Sequence, residues 1–212
     1  MAQRQYRQHC AIAKSLDVLG DRWTLLVVRD LLDGPKRYVD LLDSLVTIPT
    51  DTLAVRLKDL ERHGLVERSR LDPPAAQVVY RLTDRGREIE PIIDAYARWG
   101  RPLIESRSVD DAVRPEWLAR AVRALVRPDR AGVDLTVAMR TPDGDCTVRI
   151  TEDRVERVDP DTPAHLTLTG PVDALAAALD PTQVSGLLAG GRLTIEGSRN
   201  RVRQLAKVLD RP

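Results

Sequence analysis

Residues 36–82 read KRYVDLLDSLVTIPTDTLAVRLKDLERHGLVERSRLDPPAAQVVYRL, and the order of periods within them decides the fold. Tyr38, Leu41, Leu42 and Leu45 recur at i, i+3, i+4 and i+7, the spacing of one helix face. Val46 to Pro49 is a tight connection. From Thr50 to His63 the stripe Leu53, Leu57 and Leu60 predicts a second, longer helix, and His63-Gly64 supplies its C-terminal cap with glycine in the left-handed position. After Gly64 the period shortens to two over Leu65 to Arg68. A Pro-bearing loop from Leu71 to Gln77 leads to Val78–Leu82, so a two-stranded ribbon follows the helices.

Upstream, Ile12, Leu16 and Leu19 predict a helix broken at Gly20, and Trp23 to Leu32 a second one stopped by Asp33-Gly34-Pro35. Downstream, Thr83 is an N-cap for one helix running to about Trp99, with Ile89, Ile92, Ile93 and Tyr96 on its apolar side and a kink at Pro91. Trp99 to Pro115 is rich in Gly, Pro, Ser and charge, the composition of a linker, with the boundary near Ser108. Beyond it, Trp117, Leu118, Ala121, Val122 and Leu125 form a helical stripe. Val133 to Met139 alternate, as do Val148 with Ile150, Leu166 with Leu168 and Leu193 with Ile195, which predicts a sheet with one wet face. Helices are expected at Val172–Leu179, Thr182–Ala189 and Ser198–Leu209. The fold class is α+β, with domains at 1–107 and 108–212.

The chain has 212 residues, 42% hydrophobic and 31% charged, values of a globular protein with room for two cores. No apolar run approaches the ~20 residues needed to span a bilayer. The opening MAQRQYRQHC lacks the apolar stretch of a secretory signal, so a cytoplasmic location is expected. Cys10 and Cys146 belong to no metal-ligand cluster, and no metal or other cofactor is expected. His9, His63 and His165 are scattered, and neither HExxH nor GxSxG occurs, so an enzyme is not expected. Asp143-Gly144-Asp145 and Asp159-Pro160-Asp161 read as turns. Net charge is +1, so any hold on a polyanion must come from local placement of cations.

Helix, short turn, helix and ribbon is the order of the winged helix-turn-helix, whose second helix enters the major groove of DNA. Here the residues resemble the HxlR-type regulators, relatives of the MarR group. The matching segments are Cys10, Leu19-Gly20-Asp21-Arg22-Trp23-Thr24-Leu25-Leu26, Arg29-Asp30-Leu31-Leu32 and Gly34-Pro35-Lys36-Arg37-Tyr38. They continue through Leu53, Arg56-Leu57, Leu60, His63-Gly64-Leu65-Val66, Tyr80-Arg81-Leu82-Thr83-Asp84-Arg85-Gly86 and Trp99-Gly100. The resemblance implies a homodimeric transcriptional regulator on double-stranded DNA at a pseudo-palindromic operator, joined through its terminal helices.

With Leu53, Leu57 and Leu60 inward, Asp51, Val55, Lys58 and Arg62 point outward. Thr50, Asp51, Thr52 and Val55 then stand nearest base edges. Lys36, Arg37, Arg68, Arg70 and Arg81 flank them as phosphate contacts, and Arg56 and Lys58 complete the candidate DNA-binding set. Each of these arginines also has an ordinary reading, as a solvated or Asp-paired surface group. Trp23 and Tyr38 read as core residues, Trp99 as interface or core. HxlR-type members commonly carry Ser and a basic residue where this chain has Pro49 and Asp51. A carboxylate there repels phosphate but accepts from a cytosine amino group.

Some HxlR-type proteins sense electrophiles or oxidants through a cysteine near Cys10, and Arg7, His9 and Lys14 lie close in sequence; the alternative is a structural thiol. The second half resembles a sterol-carrier-protein-type domain at Val148-Arg149-Ile150 with Val155 and Val158, Leu166-Thr167-Leu168-Thr169-Gly170 and Ala189-Gly190-Gly191-Arg192-Leu193-Thr194-Ile195-Glu196-Gly197. That resemblance implies a small apolar or amphipathic ligand that adjusts DNA affinity; the alternative is a domain that only stabilises the dimer. A different class of protein also fits: a lipid or small-molecule binder whose winged-helix half no longer binds DNA.

Overall fold

The computed structural model describes residues 5–70, 77–106 and 111–209. The expected loop over 71–76 and the boundary near Ser108 lie outside the described residues. Packing divides the chain into two compact units, Met1–Ile93 and Asp94–Pro212.

In the first unit, helices α1 (Ala11–Leu19), α2 (Thr24–Leu32), α3 (Tyr38–Ser44) and α4 (Thr50–Arg62) precede a ribbon of β1 (Val66–Arg70) and β2 (Val78–Leu82). The leucines of the expected stripes are the core: Leu41, Leu53, Leu57 and Leu60 are fully buried with Val27, Val28 and Leu31, each contributing roughly 1.5–3 kcal/mol. Buried Asp30 on α2 accepts from Ser44 Oγ at the end of α3 (2.5 Å) and from Arg29 Nε (2.8 Å), so the polar group brought into this core has its partners with it. The turn between α3 and α4 places Val46 at φ 56, a conformation that a β-branched residue adopts at a cost. Gly64 stands at φ 67 past α4. The Leu65 amide donates to Leu60 O (2.9 Å) and the Gly64 amide to Glu61 O (3.0 Å), the paired bonds that close a helix of this kind.

The single helix expected from Thr83 to Trp99 is two, α5 (Asp84–Arg87) and α6 (Glu90–Gly100). Proline inside a helix loses the bond to the carbonyl four residues back and clashes with it; Pro91 instead occupies the first turn of a new helix, where no such bond is required. Thr83 caps α5 as expected, its Oγ1 accepting from the Gly86 amide.

The second unit holds α7 (Glu116–Leu125), β3 (Asp134–Thr141), β4 (Gly144–Thr151), β5 (Val155–Val158), β6 (Leu166–Thr169), α8 (Val172–Ala178), α9 (Val184–Ala189), β7 (Thr194–Gly197) and α10 (Arg199–Val208). The strands form one sheet in the order β5-β4-β3-β6-β7, with β3 and β6 parallel and the other neighbours antiparallel. Leu118, Val122 and Leu125 of α7 join Leu135, Val137, Val148 and Ile150 in its core. The expected wet face is covered in part. With β5 at one edge and β6 beyond β3, the chain between them must cross the sheet, and Pro160 O accepts from Thr147 Oγ1 (3.3 Å) and Arg140 Nη2 (3.0 Å) on the way. Thr136, Ala138 and Thr147 are buried accordingly.

Candidate nucleic-acid interface

One side of α4 is committed to the core, which fixes what the other side offers. Thr50, Asp51, Ala54, Val55, Lys58 and Arg62 are exposed along it, and Thr52 is half-buried. The outward set expected from the sequence is therefore placed on one face, and Ala54, not singled out by the sequence reading, falls in its middle. Its spacing of four from Thr50 and Lys58 was the available signal. Asp51 lies in the first turn of α4, where a carboxylate complements the helix dipole. Tyr38 positions this end: it is half-buried, and its hydroxyl donates to Thr50 O (2.7 Å), tying the start of α3 to the start of α4. Burial, with the neighbouring Tyr80 and Asp51 charges, pushes the Tyr38 phenol above its usual range.

Arg56, expected among the DNA contacts, is turned to the protein instead. Its side chain is only 16% exposed and is held by Asp21 and by Asp59 (3.6 Å). A guanidinium enclosed by two carboxylates is part of the packing, and it joins α4 to the segment before α2. Lys58 is exposed and, among the described residues, makes no ion pair.

The ribbon separates the remaining arginines. Residues opposite one another across a pair of strands share a face. Arg68 faces Tyr80 and Arg70 faces Val78, whereas Arg81 stands opposite Glu67 on the other face. Arg68 lies over the Tyr80 ring at 5.1 Å and its Nε meets Glu61 of α4 at 3.1 Å. Lys36 flanks the same tyrosine from the other side through paired backbone bonds of 3.0 and 2.8 Å, so Lys36, Tyr80 and Arg68 form one row. Arg81 binds Glu67 at 2.7 Å. Arg37 is occupied at the start of α3: its Nη2 and Nε donate to Asp40 (2.6 and 2.8 Å) and its Nη1 to Gln77 (3.2 Å). These hydrogen bonds hold the Asp40 carboxyl below the usual carboxylate range and raise the Arg37 guanidinium. Exposed pairs of this kind contribute about 0–1 kcal/mol and exchange readily for another anion.

Cys10 is the exposed N-cap residue of α1. The first-turn amides of Ala13 and Ile12 draw its thiol below the usual range. Cys146 is buried in β4. No helix among the described residues is long and apolar enough to cross a membrane.

The family described as HxlR-like helix-turn-helix matches residues 18–108. An uncharacterized HTH-type transcriptional regulator of Synechocystis sp., sll1512, is 39% identical over 48% of this chain and 75% of its own length. The HTH-type transcriptional regulator YodB of Bacillus subtilis is 33% identical over 43% of this chain and 81% of its own. The solved reduced form of YodB is 31% identical, with 48% of this chain and 100% of that one covered at a TM-score of 0.40. The chain belongs to the HxlR-like helix-turn-helix family. The family match takes in α2 to α6, and the sheet unit from α7 onward lies beyond it.

Proposed function

We propose that the protein is a non-enzymatic, DNA-binding transcriptional regulator that acts as a homodimer, with α4 of each protomer in the major groove. The observation that carries this reading is the outer face of α4. Asp51, Ala54, Val55 and Lys58 stand free of the core on a helix locked by Leu53, Leu57 and Leu60, with Arg68 of the ribbon beside it and Lys36 bridged to the ribbon at Tyr80, in a chain of a helix-turn-helix family. Small and apolar side chains at Ala54 and Val55 suit thymine methyl groups, and Asp51 suits a cytosine amino group. The dimer is supported by two apolar helix faces. Ile12 and Leu16 are exposed on α1, and Ile92, Tyr96 and Trp99, at i, i+4 and i+7 on α6, are exposed as well, Trp99 at 75%. A two-fold pairing of such faces buries both copies at once.

The test is fluorescence anisotropy of the full chain on DNA from upstream of its own gene and on sequences selected from a random pool, across a salt series. Binding that weakens steadily with salt is expected. Absence of any salt-sensitive binding sinks the regulator and leaves the small-molecule binder with an inert helix-turn-helix, the reading that Asp51 favours. Light scattering reads the dimer, and Trp99→Glu converts it to monomer.

The sheet unit adjusts that affinity by binding a small apolar or amphipathic ligand in the manner of a sterol-carrier-type domain. Its mixed sheet covered by α7, α8 and α10 around an apolar core supports this. Native mass spectrometry of freshly purified protein, followed by the DNA titration with and without whatever is retained, tests it; a ligand that leaves affinity unchanged defeats it. A second input is favoured by the exposed, acidified thiol of Cys10. Diamide that changes DNA affinity equally in wild type and Cys10→Ser excludes it.

A further inference from the structure

We propose that the exposed basic row on α10, Arg199, Arg203 and Lys207, is a second phosphate-binding surface for duplex DNA, carried by the sheet unit. This proposal rests on the regulator reading and extends it to a part of the chain outside the family match.

Arg199, Arg203 and Lys207 recur at i, i+4 and i+8 and are all exposed, so they form one stripe with cations about 6 Å apart along the axis. The opposite side of the helix is occupied: Val208 is buried, and Val202 and Leu205 pack against the core of the unit. Among the described residues these three cations make no ion pair, whereas Arg140, Arg149, Arg154 and Arg192 of the same unit each hold a carboxylate. The sequence of α10, RNRVRQLAKV, contains no acid. Arg201 is different in kind. Its Nη1 donates to Asp134 O (3.0 Å) and to Gln204 (2.8 Å), which is a structural use. Arg127 adds a fourth exposed cation beside the end of the row, its amide donating to Val208 O at 2.8 Å.

Helix stability accounts for Lys207, in the last turn of α10, but not for the row as a whole. Arg199 is the first residue of α10, where a positive charge opposes the helix dipole. The occupant is a polyanion and not a lipid surface, because a helix that binds a bilayer needs its apolar face free, and that face of α10 is spent on the core. Cations on an exposed helix flank, without a planar hydrogen-bonding arrangement aimed at bases, suit backbone phosphates, which fix position and carry no sequence information. In the first unit Arg37, Arg68 and Arg81 must exchange Asp40, Glu61 and Glu67 for a phosphate, whereas the cations of α10 exchange no carboxylate among the described residues.

The test is the salt dependence of DNA affinity for the full chain, measured by anisotropy between about 50 and 300 mM salt. Replacing Arg199→Gln, Arg203→Gln and Lys207→Gln together makes the slope of log K for the dimer against log salt shallower by about 0.9 per lost contact, up to about 5.4 when the rows of both protomers engage. The substitution pair Arg199→Lys and Arg203→Lys keeps the wild-type slope, since phosphate contact counts charge. If the triple variant fails to fold, Arg203→Gln alone reads a change of about 1.8, one contact from each protomer. A folded triple variant, with the wild-type melting temperature and the wild-type slope, overturns the proposal alone. Wild-type protein with no salt-dependent DNA binding overturns the proposal and the regulator reading together. Loss of sedimentation with phosphatidylcholine and phosphatidylserine vesicles, at an unchanged DNA slope, assigns the row to a membrane and also overturns it.

Discussion

The Thr83 hydroxyl donates to the Gly64 carbonyl at 2.6 Å. The same oxygen accepts from the Gly86 amide at 3.1 Å, so one side chain joins the cap of α4 to the first turn of α5. Thr83→Val keeps the shape and removes both bonds. Unfolding in urea is expected to show a loss of about 1–2 kcal/mol.

Gly86 and Gly64 are both glycines for local reasons, and the reasons differ in cost. A Cβ at Gly86 overlaps the Leu65 carbonyl, so the backbone must move; at Gly64 the space is open and only the positive φ opposes a side chain. Gly64→Ala is expected to cost about 1–2 kcal/mol. Gly86→Ala costs more and lowers DNA affinity too, because Leu65 opens the ribbon. Equal melting temperatures for the two variants contradict this account.

Arg56 and Lys58 are two residues apart on α4 and separate stability from binding. Arg56→Gln removes the cation that Asp21 and Asp59 share, leaving Asp59 with Arg62 at 3.0 Å, and is expected to cost about 1–3 kcal/mol. Lys58→Gln changes stability by less than about 0.5 kcal/mol. It makes the salt slope for DNA shallower by about 2, one contact from each protomer. Thermal melts and salt titrations on the pair read both effects.

Arg37 lowers the proton affinity of Asp40 in the folded state, chiefly through its hydrogen bonds. The stability this supplies is present above the unfolded carboxylate value of about 3.9 and is lost as pH falls through the folded value below it. Asp40→Asn is therefore expected to give a flatter stability curve between about pH 5 and pH 2. Denaturant midpoints across that range check it, and parallel curves refute it.

The elements on which the family resemblance rests were legible because each writes one period in the sequence. The stripes through Leu41 and Leu57 needed no tertiary information, and the caps at Gly64 and Thr83 are local chemistry. Where periods are short, legibility fails. At β5 the apolar Val155 and Val158 are three apart, matching neither strand alternation nor a helix of useful length, and only pairing with β4 makes a strand of them. The break between α5 and α6 was half visible in Pro91, whose place in the first turn depends on where the second helix begins. For the candidate interface, the outward face of α4 followed from its inward one. The fate of each arginine did not. Arg56 is decided by Asp21, 35 positions away, and Arg81 is separated from Arg68 by a register that a single strand does not carry.

The parallel pairing of β3 with β6 also sets an order of events in the cell. Synthesis proceeds from the N-terminus, and domains generally fold as units in that order. The helix-turn-helix and its ribbon are complete in the emerging chain by Leu82, while β3 waits for a neighbour at Leu166–Thr169 on the far side of the β4–β5 meander. A ribosome paused in that interval holds a nascent chain whose α4 is finished and whose second unit does not yet exist.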